Sequence, residues 1–122
     1  MRKPALILCL TLLTQTGIAA LNEARLADAA KRGDKAAIAT LLKDRAEVNK
    51  AQADGSTALH WAAYHGDAEL VGQLIGAGAN INAANELGAT PLWLASSRGN
   101  LAAVQALLTA KADASKIGRA HV

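Results

Sequence analysis

The sequence predicts an all-α solenoid of three stacked helix-turn-helix repeats, preceded by a cleavable signal peptide. Three glycines, Gly33, Gly66 and Gly99, lie 33 residues apart, and alanine pairs and apolar residues recur at the same spacing. Within each unit the apolar residues follow the spacing of a helix face. A fixed period of this length indicates one supersecondary unit stacked on copies of itself, each covering its neighbour's apolar side. Such a stack offers an elongated surface rather than a closed pocket, which favours a binding module.

The first 20 residues have the composition of an export signal. Arg2 and Lys3 provide a basic start, an apolar run follows over 5–13, and small residues end the segment. Cleavage is expected after Ala19 or Ala20, with an uncleaved anchor or a buried core helix as the alternatives. The apolar stretch is shorter than the roughly 20 residues that a membrane helix needs, so no membrane insertion is expected after cleavage. The predicted location is the periplasm or the medium.

The mature chain is expected to contain no cysteine, because Cys9 lies inside the signal. The bulky Leu8 before it departs from the lipoprotein pattern, so a lipid anchor is not expected. An exported chain without disulfides relies on packing alone. Removing Arg2 and Lys3 with the signal lowers the formal net charge from +3 to +1, which argues against a nucleic-acid binder.

The repeats are expected at about 21–50, 51–83 and 84–116, with a short tail at 117–122. In each repeat the recurring glycine ends the first helix by allowing a left-handed backbone, and a second helix follows. Segments that begin with asparagine and end with glycine separate the repeats. They predict short, projecting turns that resemble β-hairpins.

Residues at the predicted helix starts support these boundaries. In the second repeat a short helix is expected over about 58–64 and another from Asp67. Thr57 and Thr90 hold the positions of helix N-caps, and Pro91 follows at the first helical position, where its missing N–H costs nothing.

The second helices end in different residue types. Gly78 is expected to adopt a left-handed backbone after the second helix of its repeat. Arg45 and Lys111 hold the equivalent position in the other repeats. A positive φ costs a residue with a side chain on the order of 1 kcal/mol, so strain is expected at these two positions.

The second and third repeats resemble ankyrin repeats. Residues 54–66, reading DGSTALHWAAYHG, are similar to the start of such a repeat, and 78–82, reading GANIN, to its end. The third repeat matches over 88–99, reading GATPLWLASSRG. Ala58 stands where the family has proline, and Trp93 stands where it has histidine. The first repeat lacks the Thr-Pro-Leu-His start, which suits an N-terminal cap, and the resemblance covers nearly all of the mature chain.

The resemblance implies a protein-binding module whose partner contacts the turn tips and the inner, concave face of the first helices. The helix-end positions carry three fixed positive charges and no acid, so a partner with an acidic surface is expected; plainly solvated charges are the alternative. Tyrosine and arginine often carry interface energy. Carried over by position, the predicted contact residues are Lys31, Arg32, Ala53, Asp54, Ser56, Tyr64, His65, Glu86, Leu87, Ala89, Ser97 and Arg98.

No catalytic, cofactor or metal site is expected. His60 and His65 are five residues apart, so on a helix they point to different faces and do not share a metal. The resemblance implies that His60 hydrogen-bonds backbone between repeats. The serines lack a histidine and an acid arranged to activate them, and the glycines of 76–78 end a helix instead of opening a phosphate-binding turn. Trp61 and Trp93 are expected to be buried or half-buried against adjoining units, with a role as ligand anchors as the alternative.

The last repeat retains the apolar residues Leu101, Val104, Leu107 and Leu108, part of which is expected to face outward. This edge is expected to be fragile, to self-associate or to meet a partner, unless the third repeat is an adequate cap.

The leading hypothesis for the whole chain is an exported protein–protein interaction module of the cell envelope. A secreted effector, or an immunity or inhibitor protein that blocks an enzyme, is one alternative. A truncated piece of a longer repeat protein is the other.

Overall fold

The computed structural model describes residues 24–44 and 47–112, and this part of the chain contains six helices and no strand. The predicted signal peptide, Cys9, Arg45 and the tail at 117–122 lie outside it. Each predicted repeat contains one pair of helices, which confirms the all-α repeat architecture. In chain order the helices are α1 (Arg25–Arg32), α2 (Lys35–Lys43), α3 (Ala58–His65), α4 (Ala68–Gly76), α5 (Pro91–Ser97) and α6 (Leu101–Thr109).

The first helices of the repeats form one layer, with α1 against α3 and α3 against α5. The second helices pack behind them, α2 on α1, α4 on α3 and α6 on α5, and α4 also contacts α6. Small side chains such as Ala62 and Ala63 are fully buried in the first layer, which lets these short helices approach closely. Leu59, Leu74 and Leu107 fill the space between the layers and are fully buried. Every helix within 24–44 and 47–112 is too short or too polar for a membrane span.

The predicted helix starts are confirmed by their hydrogen bonds. Thr90 Oγ1 accepts from the Trp93 N–H at 3.2 Å, and Pro91 occupies the first turn of α5. Asp67 accepts from the Leu70 N–H at 3.1 Å and so precedes α4 as its N-cap. Helix α3 ends at His65, one residue beyond the predicted end, because the left-handed residue that terminates it is Gly66.

The glycines predicted to end helices have the left-handed backbone expected of them. Gly33, Gly66 and Gly99 have φ values of 69°, 73° and 70°, and Gly78 has 96°. Lys111 adopts a φ of 71° and is the one non-glycine with a positive φ in the described ranges. The strained position predicted after α6 is therefore confirmed.

The turns between repeats have hairpin-like hydrogen bonds, although they contain no strand. The Gln52 N–H donates to the Ser56 carbonyl at 2.9 Å, and the Asn85 N–H donates to the Ala89 carbonyl at 3.0 Å. The Glu86 N–H donates to the Asp54 carbonyl at 2.8 Å and thereby joins the two tips. The prediction that these turns resemble β-hairpins is confirmed.

Apolar side chains of the third repeat lie partly in solvent. Leu101 is 77% exposed and Leu108 is 47% exposed, whereas Val104 and Trp93 are half-buried and Leu107 is fully buried. The expectation that part of this set faces outward is confirmed.

Candidate partner-binding face

Two positive charges and two aromatic rings form a continuous row across the three repeats. Lys31 Nζ lies 5.4 Å from the centroid of the Trp61 ring. That ring meets the Tyr64 ring edge to face, with 5.4 Å between centroids. Arg98, which belongs to the third repeat, has its Cζ 4.0 Å from the centroid of the Tyr64 ring. We call Lys31, Trp61, Tyr64 and Arg98 the cation–aromatic strip.

The strip follows from helix geometry and from the 33-residue period. Trp61 and Tyr64 are three residues apart in α3, so their side chains lie on one face of that helix. Lys31 lies in the last turn of α1 and Arg98 caps the end of α5, where positive charge is favoured by the helix dipole. Because each repeat contributes a member, the strip exists only when all the repeats are stacked.

Polar contacts hold the Trp61 ring in place. Its Nε1–H donates to Gln52 Oε1 at 2.7 Å, and Gln52 Nε2 donates to Asp28 Oδ1 at 2.7 Å. This chain of bonds connects α1, the turn before the second repeat, and α3. Beside it lies an open groove of about 450 Å³, lined by Asp28, Gln52, Asp54 and Trp61 among others. The indole is therefore half-buried and fixed, with its polar atom already bonded.

The backbone beneath the strip is also bonded between repeats. His65 Nε2 lies 3.0 Å from the Lys31 carbonyl oxygen, and Asn100 Nδ2 donates to the carbonyls of Ala63 and Tyr64 at 3.1 and 3.0 Å. These contacts couple the end of α3 to the repeats on both sides. They fix the spacing at which the charged ends of the strip are held.

The three cations of the predicted face differ in their partners. Arg32 forms an ion pair with Asp34 at 3.8 Å, between two exposed side chains. Among the described residues, Lys31 and Arg98 have no carboxylate within 4.0 Å. These two exposed charges contact aromatic rings instead, so they are the cations of this face that are available to an incoming anion.

A family model for ankyrin repeats, in three copies, matches residues 26–117. The chain belongs to the ankyrin repeat family. Ankyrin repeats are generally protein–protein interaction modules and are typically non-enzymatic. No curated protein matches the chain.

The structure places most of the residues predicted for partner contact on the surface of the ankyrin stack. Lys31, Arg32, His65, Ser97 and Arg98 are exposed at the helix ends, and Tyr64 is half-buried between them. At the turn tips, four further residues are exposed; they are Ala53, Asp54, Glu86 and Leu87.

Two predicted contact residues are not on the surface. Ser56 is 4% exposed and Ala89 is 2% exposed. The Ser56 hydroxyl donates to the Asp54 carboxylate at 3.1 Å, and the Ala89 N–H donates to Asn85 Oδ1 at 3.0 Å. The expectation that these side chains face a partner is therefore wrong, because both are buried where the hydrogen bonds of the turn close its tip.

The sequence reasoning missed three residues of this face. For Trp61, packing between units was favoured over a role as a ligand anchor, whereas its ring connects Lys31 to Tyr64. Asp28 occupies the position of Trp61 one repeat earlier and adds a carboxylate to a face expected to carry none at the helices. Gln52 joins the two. The 33-residue register and the three-residue spacing of Trp61 and Tyr64 are the signals that could have identified them.

His60 has the structural role that the ankyrin resemblance implies. Its side chain is buried, with 1% exposed. The Thr57 N–H donates to Nδ1 of His60 at 3.0 Å, so Nδ1 is the acceptor and the proton of the neutral ring is on Nε2. The Nε2–H then donates to the Ala89 carbonyl at 2.9 Å. Burial lowers the pKa of the imidazole below its ordinary value of 6.5, although the hydrogen bond to Ala89 opposes that shift. Within 24–44 and 47–112, no group of three or more metal-ligating side chains is present.

The lowered pKa of His60 makes stability depend on pH in a defined direction. The unfolded chain takes up a proton at about pH 6.5, and the folded chain takes it up only at lower pH. The stability that neutral His60 confers is therefore complete above about pH 6.5 and declines as pH falls toward the folded-state pKa. Urea unfolding at about pH 7.5 and about pH 5.5 should show this loss. A His60→Gln variant should show a flatter profile, and an equal slope in both proteins would contradict the assignment.

Proposed function

We propose that this ankyrin stack is exported to the cell envelope and holds a partner protein on its concave face. The contact is made by the cation–aromatic strip and by the exposed turn tips. The observation that carries the proposal is the pair of cations, Lys31 and Arg98, held against aromatic rings without an acidic partner in the described residues. Aromatic and arginine side chains are the types that most often dominate interface energy.

An acidic partner surface is the complement of these charges. Complementary charges steer association and select the partner more than they add affinity. Binding is therefore expected to weaken with salt, because exposed charges are screened within about 8 Å at physiological ionic strength. Export is supported by the basic start, the apolar run and the small residues of the first 20 residues.

The test is affinity purification of the protein from its own envelope, followed by mass spectrometry. Replacing Lys31, Arg32 and Arg98 together with alanine should reduce the captured partner by about tenfold or more, since three charges are removed from one face. The matched control replaces Lys35, Lys43 and Lys111, which are also exposed and carry the same charge. The proposal fails if both triple variants capture the partner equally and with the same salt dependence.

The same purification tests export. Protein recovered from the periplasm should have the mass of a chain whose first residue is Ala20 or Leu21, according to which of the two cleavage sites is used. Full-length protein recovered from the cytoplasm alone would contradict the envelope location. The binding proposal would then be tested only by the amount of partner that the variants capture.

A further inference from the structure

The two charges of the cation–aromatic strip lie at its ends, and the rings lie in the middle. Lys31 belongs to the first repeat and Arg98 to the third, whereas Trp61 and Tyr64 both belong to α3. Both rings are half-buried and both cations are exposed. A molecule lying along the strip therefore meets a cation, an apolar surface and a second cation in that order.

Arg98 is held in an arrangement that leaves its hydrogen-bond donors free. A guanidinium can stack on an aromatic ring through its planar face, which leaves the N–H groups at its edge able to donate. No guanidinium N–H of Arg98 donates to another residue within the described ranges, and the group lies 4.0 Å from the Tyr64 centroid. A carboxylate accepts two parallel N–H bonds from such an edge. Arg98 therefore has guanidinium N–H donors that are available to a carboxylate.

The middle of the strip offers apolar contact. The indole N–H of Trp61 is already used by Gln52, which is itself bonded to Asp28. What the ring presents to solvent is its carbon surface. Because these bonds hold the ring in one orientation, binding loses little side-chain freedom there.

The surroundings of the strip disfavour a polyanion. Asp28 lines the groove beside Trp61, and Asp54 and Glu86 lie at the neighbouring turn tips, where both are exposed. These carboxylates beside a narrow positive strip repel a nucleic acid or an anionic membrane, which carries negative charge along its whole contact. A protein segment with a few acids placed at the strip avoids that repulsion.

We propose that the strip binds an acidic segment of a partner protein, in which two carboxylates flank one apolar side chain. One carboxylate contacts Lys31, the other contacts Arg98, and the apolar side chain packs on Trp61 and Tyr64. This inference rests on the proposed function, because it names the chemistry of the segment that the concave face holds.

Synthetic peptides test the pattern directly. Each probe carries one glutamate on each side of a central leucine, and one, two or three serines separate the leucine from each glutamate. Matched peptides carry glutamine in place of both glutamates. The protein carries Trp93→Phe, so that Trp61 is the only tryptophan and its fluorescence reports binding at the strip. At least one glutamate peptide should change the emission saturably and bind about tenfold more tightly than its glutamine match, since two exposed ion pairs are lost.

Variants assign each carboxylate to its cation. Lys31→Ala and Arg98→Ala should each weaken the glutamate peptide by about threefold and leave the glutamine peptide unchanged. Lys43→Ala is the matched control, because Lys43 is exposed on α2 and carries the same charge. Circular dichroism of each variant confirms that the stack is folded before binding is compared.

The outcomes separate this inference from the function on which it rests. No saturable change at millimolar glutamate peptide, equal binding of both peptide types, or full binding by both alanine variants overturns the inference. Phosphatidylglycerol vesicles that bind more tightly than the peptides, in a manner lost with Lys31→Ala, also overturn it and assign the strip to a membrane. If the envelope partner is captured through the concave face but its cross-linked segment lacks paired acids, the inference fails and the proposed function stands.

Discussion

Truncation of Leu74 to alanine is expected to lower the free energy of unfolding by about 2–5 kcal/mol. Leu74 is fully buried in α4, which packs against α3 in its own repeat and against α6 in the next. Deleting its side chain removes apolar contacts and leaves a cavity where two repeats meet, and the surrounding helices collapse into it only partly. Domains of this size are stabilised by roughly 5–15 kcal/mol, so the loss is a large fraction of the total.

The measurement is urea unfolding followed by far-ultraviolet circular dichroism. The control is Leu101→Ala, which removes the same side chain at a position that is 77% exposed on α6 and should change stability by less than about 0.5 kcal/mol. The contrast tests whether the repeats are held together by the faces they bury against each other. Similar losses in the two variants would contradict that account.

Most of the fold was predictable because its determinants are local and repeat. The N-cap role of Thr90, the position of Pro91 and the left-handed backbone of Gly66 and Lys111 are each properties of a few adjacent residues. One such unit, copied at a fixed period, dictates the stack, since each copy buries the apolar side of the next. The end of α3 differed by one residue, which is within the range over which helix ends vary.

The candidate site was predicted only in part, because it depends on distances between repeats. Lys31, Tyr64 and Arg98 lie at the helix ends, as their positions in the repeat predicted, but nothing in their spacing shows that the rings of α3 bridge them. The bonds from Asp28 through Gln52 to Trp61 join residues 24 and 9 positions apart, and they form only once the helices are packed. Ser56 was misplaced for a related reason. Which turn residues point inward is decided by the hydrogen bonds that close the tip.

Replacing Gly66 with alanine is expected to lower the free energy of unfolding by about 2–4 kcal/mol, more than the same change at other helix ends. Gly66 has a φ of 73°, and an added Cβ would lie 2.7 Å from Cγ of the Asn100 side chain. That side chain can rotate away, but it then gives up its bonds to the carbonyls of Ala63 and Tyr64. Each lost bond contributes about 1 kcal/mol, in addition to about 1 kcal/mol for the left-handed backbone.

Gly33 and Gly99 are the matched controls for this prediction. Both have a φ close to 70°, and nothing lies within 4 Å of an added Cβ at either position. Alanine at these sites should therefore cost only the backbone strain, about 1 kcal/mol. The difference between Gly66→Ala and the controls in urea unfolding isolates the contribution of Asn100, and equal losses at all three sites would show that Asn100 contributes nothing. Because Asn100 also holds the Tyr64 carbonyl, Gly66→Ala should loosen the contact between Tyr64 and Arg98 and weaken peptide binding at the strip, whereas Gly33→Ala should not.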